Sequence, residues 1–229
     1  MSRNLRSIAE REVNIGKVII LATYLIPSGY KVVLAVSELS ENIAGELYAI
    51  RIVVEELTGL PSRWSGKVVV IDSLESQILK GRDVLAEKQW DCGIIVNASI
   101  AMESIRWRTL IHEMLHSVSV GMRETDYKRF RGWEEAVVEQ LQRCLRPQIL
   151  NQIGVDVAET VFAQAETFWL YNRYIEAMES LRKYLGQEET SFYLELLKIP
   201  LADRLAYVYA QNSSEAYRRL FALAIGKLR

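Results

Sequence analysis

The chain has 229 residues, of which 50% are apolar and 25% charged, with 28 Lys plus Arg against 29 Asp plus Glu. Such a composition can build one generous domain or two small lobes around a real core, and it excludes a disordered or fibrous chain. The net charge of −1 gives no overall attraction to nucleic acid or to an anionic membrane.

Along the chain, Arg3, Arg6, Arg11 and Lys17 alternate with Glu10 and Glu12 before an apolar run at residues 18–26. That run is too short to cross a bilayer and its leader is too mixed in charge for a signal peptide. With only two cysteines, Cys92 and Cys144, no disulfide framework is available, and a reducing, cytoplasmic setting is expected. Three short Val- and Ile-rich runs, 31–36, 67–72 and 92–97, read as buried strands bounded by Gly, Ser or Asp. Between the first two, Ile43, Leu47, Ile50, Val54 and Leu57 recur at helical spacing over 41–57, and Gly59 and Pro61 end the helix. Residues 74–88 suit a second helix.

Beyond residue 100 the strand signal stops. Three- and four-residue apolar spacing predicts helices over 105–118, 133–145, 157–185, 192–210 (broken at Pro200) and 215–228. The expected fold class is α+β: a small N-terminal α/β lobe with a short sheet over residues 1–100, then a mostly helical lobe over 101–229. The two are read as one integrated catalytic domain, with a cleft where they meet.

The chain has two histidines, His112 and His116, within Leu110-Ile-His-Glu-Met-Leu-His-Ser117. Random placement puts two histidines four apart, with Glu after the first, roughly once in a thousand trials, so the pattern calls for a motif reading. Four residues on a helix set both imidazoles on one face, one turn apart, where one metal ion reaches both. Glu113, next round the helix, is placed to touch a water on that metal. A third ligand cannot be His. The cysteines fit core positions better, and the segment Arg131-Gly-Trp-Glu-Glu-Ala-Val-Val-Glu-Gln140 offers Glu134, Glu135 and Glu139. Glu139, four after Glu135 on the same helical face, is placed to accept the ring N–H of a ligating imidazole.

His112-Glu113-x-x-His116 followed by Glu135 resembles the zinc signature of the gluzincins, the metallopeptidases that include thermolysin-like and aminopeptidase-N-like enzymes. The likeness covers about residues 92–140. It implies a zincin-like fold, zinc held by His112, His116 and Glu135, and Glu113 as general base in peptide-bond hydrolysis. Ala136 after Glu135 matches the small residue that often follows the ligand Glu, which favours Glu135 over Glu134. Glu139 matches an acidic position of thermolysin-like members, and Tyr127 a tyrosine between the second His and the Glu. Tyr127 is thus the first candidate to stabilise the oxyanion, followed by Arg123, Lys128, Arg129 and Arg131 in the same stretch and Tyr171 and Tyr174 further on. The strand upstream of the zinc helix occupies the place of a substrate-pairing sheet edge, which assigns Ile94, Ile95, Val96 and Asn97 to peptide backbone. The sequence has no third histidine for a transition-state role and no Gly-x-Met-x-Asn motif.

The expected partner is a peptide or protein substrate, with neither a membrane nor nucleic acid. The 123–131 stretch, read as a loop, carries four basic and two acidic residues, a charge of +2 that is weak for nucleic-acid binding. The competing functions are a catalytically silent zincin-fold binding module, a metal-dependent hydrolase of other amides or esters, and a regulatory intracellular protease acting on one specific protein.

Overall fold

The computed structural model describes residues 21–25, 31–72, 75, 77, 78 and 85–228. Strands β1 (Leu21–Leu25) and β2 (Lys31–Ala35) form an antiparallel ribbon of their own, with Leu21 opposite Ala35 and Leu25 opposite Lys31. The first predicted strand therefore does not join the other two. An apolar partner run lies only a few residues upstream, and short closure costs less chain entropy than long. Helix α1 (Val36–Thr58) follows directly and buries Leu39, Ile43, Leu47, Ile50 and Val54 along one stripe.

The second sheet has three strands in the order β3 (Val68–Ile71), β5 (Ile94–Asn97), β4 (Ala86–Lys88). β3 runs parallel to β5 and β4 antiparallel to it, with Lys88 opposite Ile94. Two expectations change here. Residues 75, 77 and 78 are helical, but Ala86–Lys88 is strand, and the rest of the predicted helix lies outside the described residues. Ala86–Lys88 has been recruited by the otherwise open side of β5 through a tight turn. In that turn Gln89 N–H donates to the Gly93 carbonyl at 2.7 Å and Cys92 takes φ 65°. Secondly, Ile94, Ile95, Val96 and Asn97 form the central strand. Their main-chain groups are already shared between β3 and β4, so they offer no edge to a substrate; β3 and β4 are the outer strands.

All remaining described elements are helical: α2 (Ala98–Ala101), α3 (Arg106–Val118), α4 (Glu124–Gln152), α5 (Glu159–Glu166), α6 (Asn172–Leu185), α7 (Glu189–Lys198), a 3-10 turn (Leu201–Asp203), α8 (Arg204–Ala210) and α9 (Glu215–Leu228). The fold is mostly helical with a small three-stranded sheet, an α+β arrangement. The 123–131 stretch is helix rather than loop. It begins with Glu124 and Asp126 in the first turn, where acids favour a helix start, and breaks at Phe130 (φ −121°, ψ 28°). The long helix expected over 157–185 is split. The Asn172 side-chain amide donates to the Glu166 and Thr167 carbonyls, stopping α5 where the bulky run Phe168-Trp-Leu-Tyr171 leaves the helix.

Buried side chains from Leu39 to Leu228 make one continuous core across both parts of the chain. Gly132 lets α9 close onto α4, since a Cβ there would meet the Leu228 carbonyl oxygen at 2.3 Å. Among the described residues no helix is long and apolar enough to cross a membrane. α3 is held between α1, β4 and α4, and every residue from Trp107 to Val118 is buried. A helix enclosed on all sides must find internal partners for its polar residues.

Candidate metal centre

On α3 the two imidazoles face each other, with His112 Nε2 and His116 Nε2 3.1 Å apart. Glu135 comes in from α4, its Oε2 3.3 Å from His112 Nε2 and 3.5 Å from His116 Nε2. These three buried residues put their ligand atoms within 4.8 Å of one another, a group that could hold a metal ion. Glu135 Oε2 is buried and has no hydrogen-bond donor of its own. A cation fits this set: two imidazole nitrogens and one carboxylate oxygen are ordinary donors for a transition metal, with one position left open.

Each imidazole is backed on its far side. His112 Nδ1 lies 3.0 Å from Glu139 Oε2, and Glu139 Oε1 accepts from Arg108 and from Arg143. His116 Nδ1 lies 2.9 Å from Glu134 Oε1, while Glu134 Oε2 accepts from Arg204 at 2.7 Å and from the Ser119 hydroxyl at 2.9 Å. Such carboxylates fix which ring nitrogen carries the proton and turn the other toward the metal position. The two residues weighed as alternatives for the third ligand thus have different work: Glu135 meets both Nε2 atoms and Glu134 supports His116 from behind.

Burial by itself would push the glutamates up and the histidines down, but their mutual bonds outweigh it. The Arg204 charge and the His116 hydrogen bond hold Glu134 at about 2. His112 and Arg108 do the same for Glu139, also at about 2. Glu135 lies well below the usual carboxylate range through the closeness of both imidazoles to its Oε2. The histidines are raised in turn, His112 to about 9 and His116 to about 10.

Glu113 is buried, and its Oε2 accepts the Lys88 main-chain N–H at 2.7 Å. It opens on a cavity of about 370 Å³ that is also lined by His112, His116, Glu135, Tyr127 and Tyr171. The Tyr127 hydroxyl donates to Glu135 Oε1, so it is engaged by the candidate ligand rather than free in the cavity. Tyr171 stacks on His112 at 6.0 Å and accepts from Arg131 at 3.3 Å. Of the other named candidates, Lys128 and Arg131 reach the cavity, whereas Arg123, Arg129 and Tyr174 are not among its lining residues. Arg123 pairs with Asp126, and Tyr174 accepts from Arg173. Ile94, Ile95, Val96 and Asn97 are likewise not among them.

Two arginines were missed. Arg108 stands one helical turn before His112, so its spacing could have placed it on the motif face. Arg204 lies seventy residues beyond Glu134 in a segment with no motif, and nothing in its neighbours announces it. Comparison of the chain with protein-family models, with characterised proteins and with solved structures finds no match.

Proposed function

We propose that the chain is a zinc metallopeptidase of gluzincin type with a zincin-like architecture, in which His112, His116 and Glu135 hold the ion and Glu113 acts as base. The observation that carries this reading is the convergence of two imidazole Nε2 atoms on a buried carboxylate oxygen without a donor, beside a second carboxylate in an open cavity. Zinc held by three protein ligands supplies Lewis acidity, bringing a bound water toward a pKa of ~7 and polarising a scissile carbonyl. Glu113 takes the proton from the attacking water and passes it to the leaving amine. The Lys88 N–H on Oε2 keeps its carboxylate turned and leaves Oε1 for solvent.

β4 supplies the substrate-pairing edge in this reading. Leu85 and Gln89 bond toward β5, so strand alternation turns the main-chain groups of Ala86 and the Lys88 carbonyl outward, while the Lys88 N–H is held by Glu113. A peptide added there would lie antiparallel or parallel to β4, alongside Glu113. Tyr127 stabilises the developing oxyanion only by exchanging its present acceptor, Glu135; Tyr171 and Arg131 are the alternatives. Two unpaired cysteines, Cys92 and Cys144, support action in a reducing compartment, the cytoplasm.

The purified protein is expected to carry about one equivalent of zinc. Glu113→Gln should keep that metal and lose peptide cleavage; retained cleavage removes Glu113 as the base. Stoichiometric metal with no cleavage of any peptide by the unsubstituted protein points instead to a silent binding module, and a metal-free protein defeats the proposal.

A further inference from the structure

The cavity beside the paired histidines holds one buried cation that no carboxylate neutralises among the described residues, Lys88, and a half-exposed one at its rim, Arg131. Lys88 is 93% buried, being only 7% exposed. The three donors of its ammonium find one acceptor, the Gln89 carbonyl at 3.5 Å, and its other close neighbour is the Trp90 ring, 5.5 Å to the centroid. No carboxylate lies within ion-pair distance of it among the described residues. Arg131 faces the same cavity from α4. Its side chain is 39% exposed and pairs loosely with Glu135 Oε1 at 3.7 Å, its Nε has no hydrogen-bond acceptor, and its one hydrogen bond goes to the Tyr171 hydroxyl. The remaining cationic liners are accounted for, Arg108 by Glu139 and Glu166 and Lys128 by Glu124.

A divalent ion would be faced by Glu113 and Glu135, Arg131 already stands 3.7 Å from Glu135, and Glu87 is a third carboxylate on the cavity wall, so the Lys88 ammonium is the cation left without a close carboxylate among the described residues. A buried ammonium without a charged partner is costly, and an enclosed anion relieves it. Burial holds Lys88 below the ordinary lysine value, which marks how incompletely it is solvated.

We propose that Lys88 and Arg131 form an anion subsite that selects peptides carrying a carboxylate on the second residue beyond the scissile bond. This rests on the peptidase reading of the site and adds the class of substrate. The carboxylate could belong to an acidic side chain or to the C-terminus of the substrate, and both would meet the same two cations.

Three hydroxamates separate these sources: hydroxamate-Leu-Asp-amide, hydroxamate-Leu-Asn with a free C-terminus, and hydroxamate-Leu-Asn-amide, which has neither anion. Calorimetric titration into the zinc-loaded protein should find at least one charged probe binding ten- to a hundredfold tighter than the neutral one, the effect of a charge-assisted contact. That margin, taken as the ratio of charged to neutral probe within each variant, should vanish in Lys88→Met and shrink in Arg131→Met. Equal binding of all three probes, or a margin that survives both substitutions, overturns the subsite and leaves the zinc site standing. Failure of all three to bind zinc-loaded protein overturns the peptidase reading and the subsite with it.

Discussion

The two imidazoles of the candidate centre look alike from the metal position and differ behind it. His112 leans on Glu139, which shares its outer oxygen between Arg108 and Arg143. Arg108 sits on the same helix, one turn before His112, and lies under the Trp169 ring at 4.0 Å. His116 leans on Glu134, whose one cationic partner besides the histidine among the described residues is Arg204, fully buried and carried by the helix α8 near the far end of the chain. Arg204 is itself tied to the Ser119 hydroxyl and the Ile199 carbonyl. One support is local and duplicated. The other is remote and single, so the orientation of His116 depends on how the C-terminal helices pack.

The largest effect that tests this arrangement is loss of the proposed third ligand. Glu135→Ala should abolish stoichiometric metal, whereas Glu134→Ala should retain it with affinity lowered about 10- to 100-fold, the usual cost of losing a ligand's supporting partner. Elemental analysis with competitive chelation distinguishes them, and the reverse ranking exchanges the two glutamates' roles. Next comes the contrast between the arginines. Arg204→Met strands a buried Glu134 and should cost about 3–5 kcal/mol in denaturant unfolding. Arg108→Met leaves Glu139 with Arg143 and should cost about 1.5–3 kcal/mol, the range for one charged hydrogen bond. Equal losses would mean the duplicated support is no support.

The smallest effect is the pH dependence of the metal-free protein. Glu134 and Glu139, at about 2 against an ordinary 4.5, contribute stability that is complete above pH 4.5 and lost as pH falls toward 2. His112 and His116, raised from 6.5 to about 9 and about 10, contribute stability that is complete below pH 6.5 and lost as pH climbs through 9 to 10. The thermal midpoint in chelator should therefore peak between those limits. Adding zinc at pH 8 should release protons and lift the alkaline side of the curve, because metal takes the place of the shared protons. A metal-free midpoint that keeps rising from pH 6 to 10 contradicts the proton-sharing cluster.

Much of this centre could be read in advance because its parts are local. His112, Glu113 and His116 lie within five residues, and Glu135 and Glu139 repeat the same four-residue step on the next helix; helical periodicity sets such faces before any packing occurs. The apolar stripe of α1 and the bounds of α9 were legible for the same reason. Pairing across distance was not. Ile94–Asn97 has the composition of a strand whether it sits at an edge or in the middle, and Ala86–Lys88 became the edge only because β5 had an open side to offer.

The shared face of the two histidines and the helical character of the second half follow from spacing along the chain, a short-range property that each segment carries with it. The division of labour between Glu134 and Glu135, the anchoring of His116 by Arg204 and the gathering of Lys88 and Arg131 around one cavity arise when helices distant in sequence are pressed together. Burial then decides which charges find partners, and no run of neighbouring residues encodes that outcome.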